Sequence, residues 1–374
     1  MYPYSGKSLI RLAVIRRQYK FELVKEIRDR VIKHKENSMI SRKDFIKGAL
    51  SGVGATAAML GGIKIATGDL GYLFAPLDGL STKLRPKIQE EMVVILLGTG
   101  MPLSGINRSK PANVILAGDK IFLVDCGEGA VRRLIMAGIP PSRISDVLFT
   151  HHHSDHNSGF DDFMVSSWTG GKREQGRQIP LQVYGPTNTK QIIEKFMDAW
   201  KWDLDLRANH TGVSIEGIQV NYHEKNDGVI YDDQGIKVTS FTVDHGTVKP
   251  AIGYRFEYKD KVIVISGDTL PTENMIIQSE TADILVHEAY SMKWLERGLK
   301  NNPSLEKIIT NIVNYHSSTM EVAEIAKKAR VKHLVFTHLM PDPSPLWYFE
   351  KDWARSVSDI YDGNITVGRD LMEV

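Results

Sequence analysis

The chain has one cysteine, Cys126, so no disulfide can close within it. That cysteine ends the run Phe122-Leu123-Val124-Asp125-Cys126 and reads as a small buried filler rather than a nucleophile. Phosphate loops are missing as well. Gly98-Thr99-Gly100 is followed by no Gly-Lys-Ser/Thr and shows no dinucleotide-binding spacing, which leaves a tight turn at a strand end. The uncharged stretch Gly48 to Ile63 runs for only 16 residues, is rich in Gly and Ala, and falls short of a membrane span. Net charge is small too, at +2 for the whole chain. Residues 1–47 hold 13 Lys/Arg against 5 Asp/Glu, so residues 48–374 carry −6, which argues against a broad basic face for nucleic acid.

What is present is concentrated in one place. His151-His152-His153-Ser154-Asp155-His156 follows the apolar run Val147 to Thr150, which reads as a short buried strand. On an extended backbone, side chains two apart point the same way, so His151 and His153 can grip one ion. A helix starting at Asn157 or just after would then bring Asp155 and His156 round to a second ion. Imidazole suits zinc, and a carboxylate among histidines suits zinc, manganese or iron. A tag or chance run is the bland alternative, but tags are terminal and carry no aspartate.

The rest of the chain alternates strands with helices. Val93 to Leu97, Asn113 to Ala117 and Lys120 to Val124 read as strands, the last two as a hairpin, and Val131 to Ala137 reads as a helix. Leu181 to Pro186 is a strand and turn, and Thr189 to Trp200 a helix. Trp200 to Arg207 is an aromatic and acidic insert that either lines a cleft or covers the core. Ile236 to Val243, Ala251 to Tyr258, Val262 to Ile265, Ala282 to Ala289 and His333 to His338 are further strands, with a helix over Thr319 to Ala329. Three apolar strands thus deliver His245, Asp268 and His338 at their ends. Singly, each of the two histidines would pass for a core residue satisfied by a hydrogen bond. Together, behind the histidine cluster, the three residues read as metal ligands.

Ahead of this lie a basic extension (1–38), a segment at 39–64 and a Gly/Pro-containing linker at 65–91, with the folded domain expected over 92–374. Ile40-Ser41-Arg42-Lys43-Asp44-Phe45-Ile46-Lys47 resembles a twin-arginine export signal, with Lys43 in place of the second arginine. It implies export to the periplasm or membrane anchoring through this segment, with cytoplasmic residence as the alternative; the start residue is either Met1 or Met39.

His-x-His-x-Asp-His, with Leu97-Gly98-Thr99-Gly100, Ser266-Gly267-Asp268-Thr269, His287-Glu288-Ala289, His316-Ser317-Ser318-Thr319 and Thr337-His338, resembles the tRNase Z branch of the metallo-β-lactamase superfamily. That branch includes phosphodiesterases and arylsulfatases. The resemblance spans residues 92–374 and implies an α/β fold, an αβ/βα sandwich of two mixed sheets between helices. It implies two divalent ions, Zn2+ with Mn2+ or Fe2+ as alternatives, one on His151, His153 and His245, the other on Asp155, His156 and His338, bridged by Asp268. The ion pair would acidify a shared water for attack on an ester, with Asp155 in the catalytic set, His316 as proton donor and Glu288 orienting it. Asp125 and Asp244 are expected to hold ligand histidines. Members of the branch often form homodimers. For substrate, the acidic body and the lack of a basic Gly/Pro-rich arm between Asn157 and Asp244 favour a small phosphodiester or sulfate ester over tRNA. A 3′-tRNA processing endoribonuclease is the alternative reading, and a non-catalytic ligand-binding protein a second one.

Overall fold

The computed structural model describes residues 91–374 except 104, 106, 171–174 and 344–346. The expectations for 1–38, 39–64 and 65–90 therefore lie outside the described residues. Among the described residues, no helix is long and apolar enough to cross a membrane.

The first half runs β1 (Val93–Gly98), β2 (Ala112–Ala117), β3 (Lys120–Val124), α1 (Ala130–Met136), β4 (Asp146–Leu148), α2 (Ser154–Asn157), α3 (Phe160–Thr169), β5 (Leu181–Gly185), α4 (Thr189–His210) and β6 (Val220–Glu224). The second runs β7 (Gly228–Asp233), β8 (Ile236–Thr242), β9 (Ile252–Tyr258), β10 (Lys261–Ile265), α5 (Glu273–Gln278), β11 (Ile284–Tyr290), α6 (Met292–Asn301) and α7 (Glu306–Tyr315). It ends with α8 (Thr319–Lys328), β12 (His333–Met340), α9 (Trp347–Trp353), β13 (Asn364–Val367) and β14 (Met372–Glu373). The strands form two seven-stranded mixed sheets, ordered β14-β1-β2-β3-β4-β5-β6 and β13-β12-β11-β10-β9-β8-β7, the C-terminal β14 crossing back to the edge of the first.

The strands look uniformly apolar because both faces are buried. Along β1, Val93, Ile95 and Leu97 pack outward with Leu134, Phe160 and Trp168, while Val94 and Leu96 point between the sheets. The inter-sheet layer joins Phe122 and Leu148 to Tyr254, Phe256, Ile263 and Val286. On the far side of the second sheet, Leu285, Leu334 and Phe336 meet Val322, Ile325 and Trp353 of the helices. The result is the expected helix–sheet–sheet–helix sandwich. Two bonds tie the sheets together beneath the histidine cluster. Ile252 N donates to Thr150 O at 2.9 Å, and Tyr254 Oη donates to Phe149 O at 2.6 Å.

Those ties explain one departure from expectation. β4 is Asp146–Leu148, and Phe149-Thr150 leave it because their carbonyls face the other sheet. The turn after it also starts earlier, at Ser154, and breaks at Gly159, where a Cβ would collide with Gly127 O. A larger difference concerns Trp200 to Arg207. These residues continue α4 to His210, supported by Lys201–Asp205 and Asp203–Arg207 pairs one turn apart. Trp202 is 77 % exposed, whereas Leu204 is buried in the outer core of the first sheet, so the segment covers the core through that residue. Helices α6 and α7 have no counterpart in the sequence reading.

Phe256 is fully buried between the sheets, 5.7 Å from the Phe122 ring. Phe256→Ala should lower unfolding stability by about 3–5 kcal/mol in urea denaturation, whereas Trp202→Ala should stay within about 0.5 kcal/mol.

Candidate metal centre

The loops at one end of the two sheets converge. The first sheet supplies His151 just after β4, His153 as the residue preceding α2, and Asp155 and His156 on its only turn. The second sheet supplies His245 after β8, Asp268 after β10, Glu288 within β11 and His338 within β12. His316 follows the last residue of α7. Donor atoms of His151, His153, His245 and Asp268 lie within 4.8 Å of one another, as do those of Asp155, His156 and His338. All seven residues expected as ligands are thus brought together.

Asp268 is the hub. Its Oδ2 lies 3.4 Å from Nε2 of His156 and His338, 3.8 Å from Nε2 of His151 and His245, and 3.9 Å from His316 Nδ1. The turn presenting it needs Gly267, with φ +63 and a would-be Cβ 2.7 Å from Ile252 O. Asp155 Oδ2 accepts from His338 Nε2 at 3.2 Å.

The far side of several rings is fixed by partners. Asp125 Oδ2 meets His156 Nδ1 at 2.8 Å and also accepts from Thr150 Oγ1 at 2.9 Å, as expected of a residue holding a ligand histidine. Thr150 Oγ1 in turn meets His151 Nδ1 at 3.1 Å. Asp244 does not play the matching part. It is exposed, and its Oδ1 accepts from Gly246 N at 3.1 Å, closing the turn after β8. His245 Nδ1 instead donates to the carbonyl of Tyr315 at 2.8 Å. A backbone carbonyl leaves no mark in sequence, so only the expectation that some acceptor must exist could have pointed there.

Electrostatics divide the rings into two kinds. Burial holds His151, His153 and His245 below the ordinary histidine value, so they are neutral with a lone pair to offer. Burial also opposes charge on His156 and His338 but is outweighed. Asp268, Asp125 and Asp155 lift His156 well up, and Asp268 with Asp155 lifts His338 to about 9. Against their own burial, Asp155 is held at about 2 by His156 and His338, and Asp268 is held well below its ordinary value by His338 and His156. Protons on two rings therefore balance carboxylates that divalent cations would otherwise neutralise.

The donor set fits such cations. His151 Nε2, His156 Nε2 and Asp268 Oδ1 are buried without a hydrogen-bond partner among the described residues. Orphans of this kind cost about 1–3 kcal/mol each, and imidazole nitrogens with carboxylate oxygens are ligands for zinc-like ions.

Beside this set, Glu288 Oε1 sits 3.1 Å from His316 Nδ1 and accepts from Thr269 N and Ser317 N at 3.2 and 3.1 Å. Burial and the charge of Asp268 push Glu288 well above the carboxylate range, and burial pushes His316 down to about 4. Without cations the two form a neutral pair. The sequence reading did not anticipate His152, whose Nε2 meets Thr189 Oγ1 at 2.8 Å and anchors the start of α4.

Comparisons with known proteins agree with this geometry. A family model described as the β-lactamase superfamily domain matches residues 120–339. Ribonuclease Z from Mycobacterium sp. (strain KMS) is 34 % identical over 281 residues, covering 75 % of this chain and 95 % of that protein. Ribonuclease Z from Mycobacterium marinum (strain ATCC BAA-535 / M) is 32 % identical over 75 % of this chain and 97 % of its own length. Among solved structures, the metallo-β-lactamase fold protein YhfI from Bacillus subtilis superposes with a TM-score of 0.56 at 17 % identity, over 76 % of this chain and 98 % of that one. The short form of human tRNase Z gives 0.54 at 22 %, over 75 % and 98 %.

A cation can bind His338 only after its proton leaves. Zinc uptake by the metal-free protein at pH 7–8 should therefore release protons, and apparent affinity should climb with pH through about 9, where His338 loses its proton. Calorimetry in two buffers of different ionisation enthalpy reads the proton count, and a count of zero would contradict the charge balance described.

Proposed function

The chain belongs to the metallo-β-lactamase superfamily, and from that footing we propose that it is a metal-dependent endoribonuclease of the ribonuclease Z type, trimming the 3′ side of tRNA precursors. The observation that carries the reading is the similarity to ribonuclease Z along 95 % of that relative's length at 34 % identity. It outweighs the preference for a small ester, which rested on net charge, a missing arm and the export-like segment at 39–64.

In this proposal His151, His153 and His245 would hold one divalent cation and Asp155, His156 and His338 the other, with Asp268 available to either. When bound, zinc-type cations supply Lewis acidity and bring the pKa of a coordinated water near neutrality. The protein's part is geometric and protonic. Asp125 fixes the Nδ1 proton of His156 and the Tyr315 carbonyl that of His245, which turns each Nε2 inward. Asp155, ionised throughout the physiological range, offers its charge to the second position. His316 is the proton donor to the departing ribose oxygen, and Glu288 positions it through Nδ1. The phosphodiester anion, arriving beside His316, favours the charged ring and offsets the effect of burial.

A second reading is kept because of one observation. Residues 48–374 carry −6, and the described residues between Asn157 and Asp244 include α3, β5, α4 and β6–β8, which belong to the layers of the fold. A small phosphodiester or sulfate ester would need no extended basic surface.

The zinc-loaded protein should cut a 3′-extended tRNA precursor at a defined position, more weakly as salt rises. His316→Ala should slow that turnover about 10²–10⁴-fold while two zinc ions stay bound. Hydrolysis of bis(p-nitrophenyl) phosphate or p-nitrophenyl sulfate with the precursor left intact would establish the second reading. Silence on all three substrates would reduce the protein to a binding role.

A further inference from the structure

His338 stands on irregular backbone. Strands β11 and β12 pair in step as far as Glu288 with Thr337, and the ladder resumes at Ala289 with Leu339, so His338 is the extra residue of a bulge. Its φ is +45, in the left-handed region that side chains with a Cβ avoid. This departure aims Nε2 at Asp155 and Asp268. Something must hold it there.

The next peptide is anchored outside its own sheet. Leu339 N donates to Thr99 O at 3.0 Å, and Thr99, fully buried in the turn after β1, is gripped by two charged side chains. Asp370 Oδ1 accepts from Thr99 N at 3.0 Å and from Thr99 Oγ1 at 2.8 Å. Arg108 donates to Thr99 Oγ1 at 2.7 Å and to Gly368 O at 2.6 Å. The same guanidinium pairs with Asp342, four residues beyond His338, at 2.7 Å, and with Glu350 at 3.1 Å. Asp370 Oδ2 accepts from Ser109 N at 2.6 Å and lies 3.0 Å from Arg133. His338 is therefore held through the chain that follows it, at Leu339 by way of Thr99 and at Asp342 by way of Arg108.

An ion network this buried is a poor way to gain stability, because desolvating the charges consumes most of their attraction. Its directional bonds are what apolar packing could not replace. Three of the other expected ligands are oriented by different groups: His156 by Asp125, His151 by Thr150 and His245 by the Tyr315 carbonyl. We propose that Thr99, Arg108 and Asp370 are positioning residues for His338, and that loosening them weakens the cation held by Asp155, His156 and His338 while sparing the one held by His151, His153 and His245. This rests on the cation assignment made under the proposed function.

The test is a zinc titration of metal-free full-length protein against a chelating competitor, with no substrate present. Wild type should show two ions per chain. Thr99→Val keeps the volume and the carbonyl but removes the hydroxyl, and should weaken one of the two ions about 10–100-fold with the other unchanged. Thr99→Ser restores the hydroxyl and should restore both affinities. If Thr99→Val fails to fold, as judged by circular dichroism, Asp370→Asn offers the same readout at preserved shape. A purely structural network would lower the melting temperature of these variants and leave the ratio of the two affinities at its wild-type value, which would overturn the proposal alone. Equal weakening of both ions, or a serine variant no better than valine, would overturn it too. Fewer than two ions on the wild type would remove the cation assignment and this proposal together.

Discussion

One carboxylate oxygen governs this molecule. Asp268 Oδ2 has five imidazole nitrogens between 3.4 and 3.9 Å away, drawn from both sheets and from the end of a helix. His151, His153, Asp155 and His156 come from the first sheet, and His245, Asp268 and His338 from the second, so neither sheet carries a competent site alone. The bonds Ile252 N to Thr150 O and Tyr254 Oη to Phe149 O fix how far apart the two contributions stand. The inter-sheet layer of Phe122, Phe256 and Val286 is thus as much a part of the metal chemistry as the histidines. Its apolar packing sets the spacing that charge alone could not hold.

Local rules are broken where that spacing is delivered. Asp125 has φ +58 and His338 φ +45, and both face the cluster. Each is over-determined by its neighbours: Asp125 by Thr150 and His156, His338 by the peptide that follows it. Backbone strain retained at such points is the usual companion of a functional site. The same holds for charge. Three buried carboxylates within reach of histidines are tolerable in the metal-free protein only because two of the rings keep protons they would ordinarily have lost.

Much of this was legible in the sequence, for physical reasons that can be named. Strands buried on both faces spell continuous apolar runs, so β1, β10, β11 and β12 were evident, and the last three lead to Asp268 or carry Glu288 and His338. The histidine cluster was evident because imidazole and carboxylate at that spacing have few other uses. Asp244 misled because adjacency in sequence to His245 suggested contact, whereas its carboxylate turns to solvent and caps its own loop. The holders of His245 and His338 were invisible: one is a carbonyl, and the other is reached through bonds spanning more than two hundred residues. Helices α6 and α7 are short, ten residues each, and largely exposed; each carries an amphipathic pattern that could have marked it. The extension of α4 past Trp200 was hidden by an aromatic and acidic composition that read as an insert lining a cleft or covering the core.

Segments as exposed as α6 and α7 are normally where homologous chains gain and lose residues. Here that freedom is curtailed at both margins. Ser291 N is bonded to Met340 O at 2.8 Å on one side, and on the other Tyr315 holds His245 while the adjacent His316 meets Glu288. An α-helix turns about 100° per residue, so one residue gained or lost within α7 would swing the Tyr315 carbonyl away from its histidine and carry His316 along. Length drift in descendants of this gene is therefore confined to changes that restore helical phase, or to the joint between the two helices around Asn302 and Pro303.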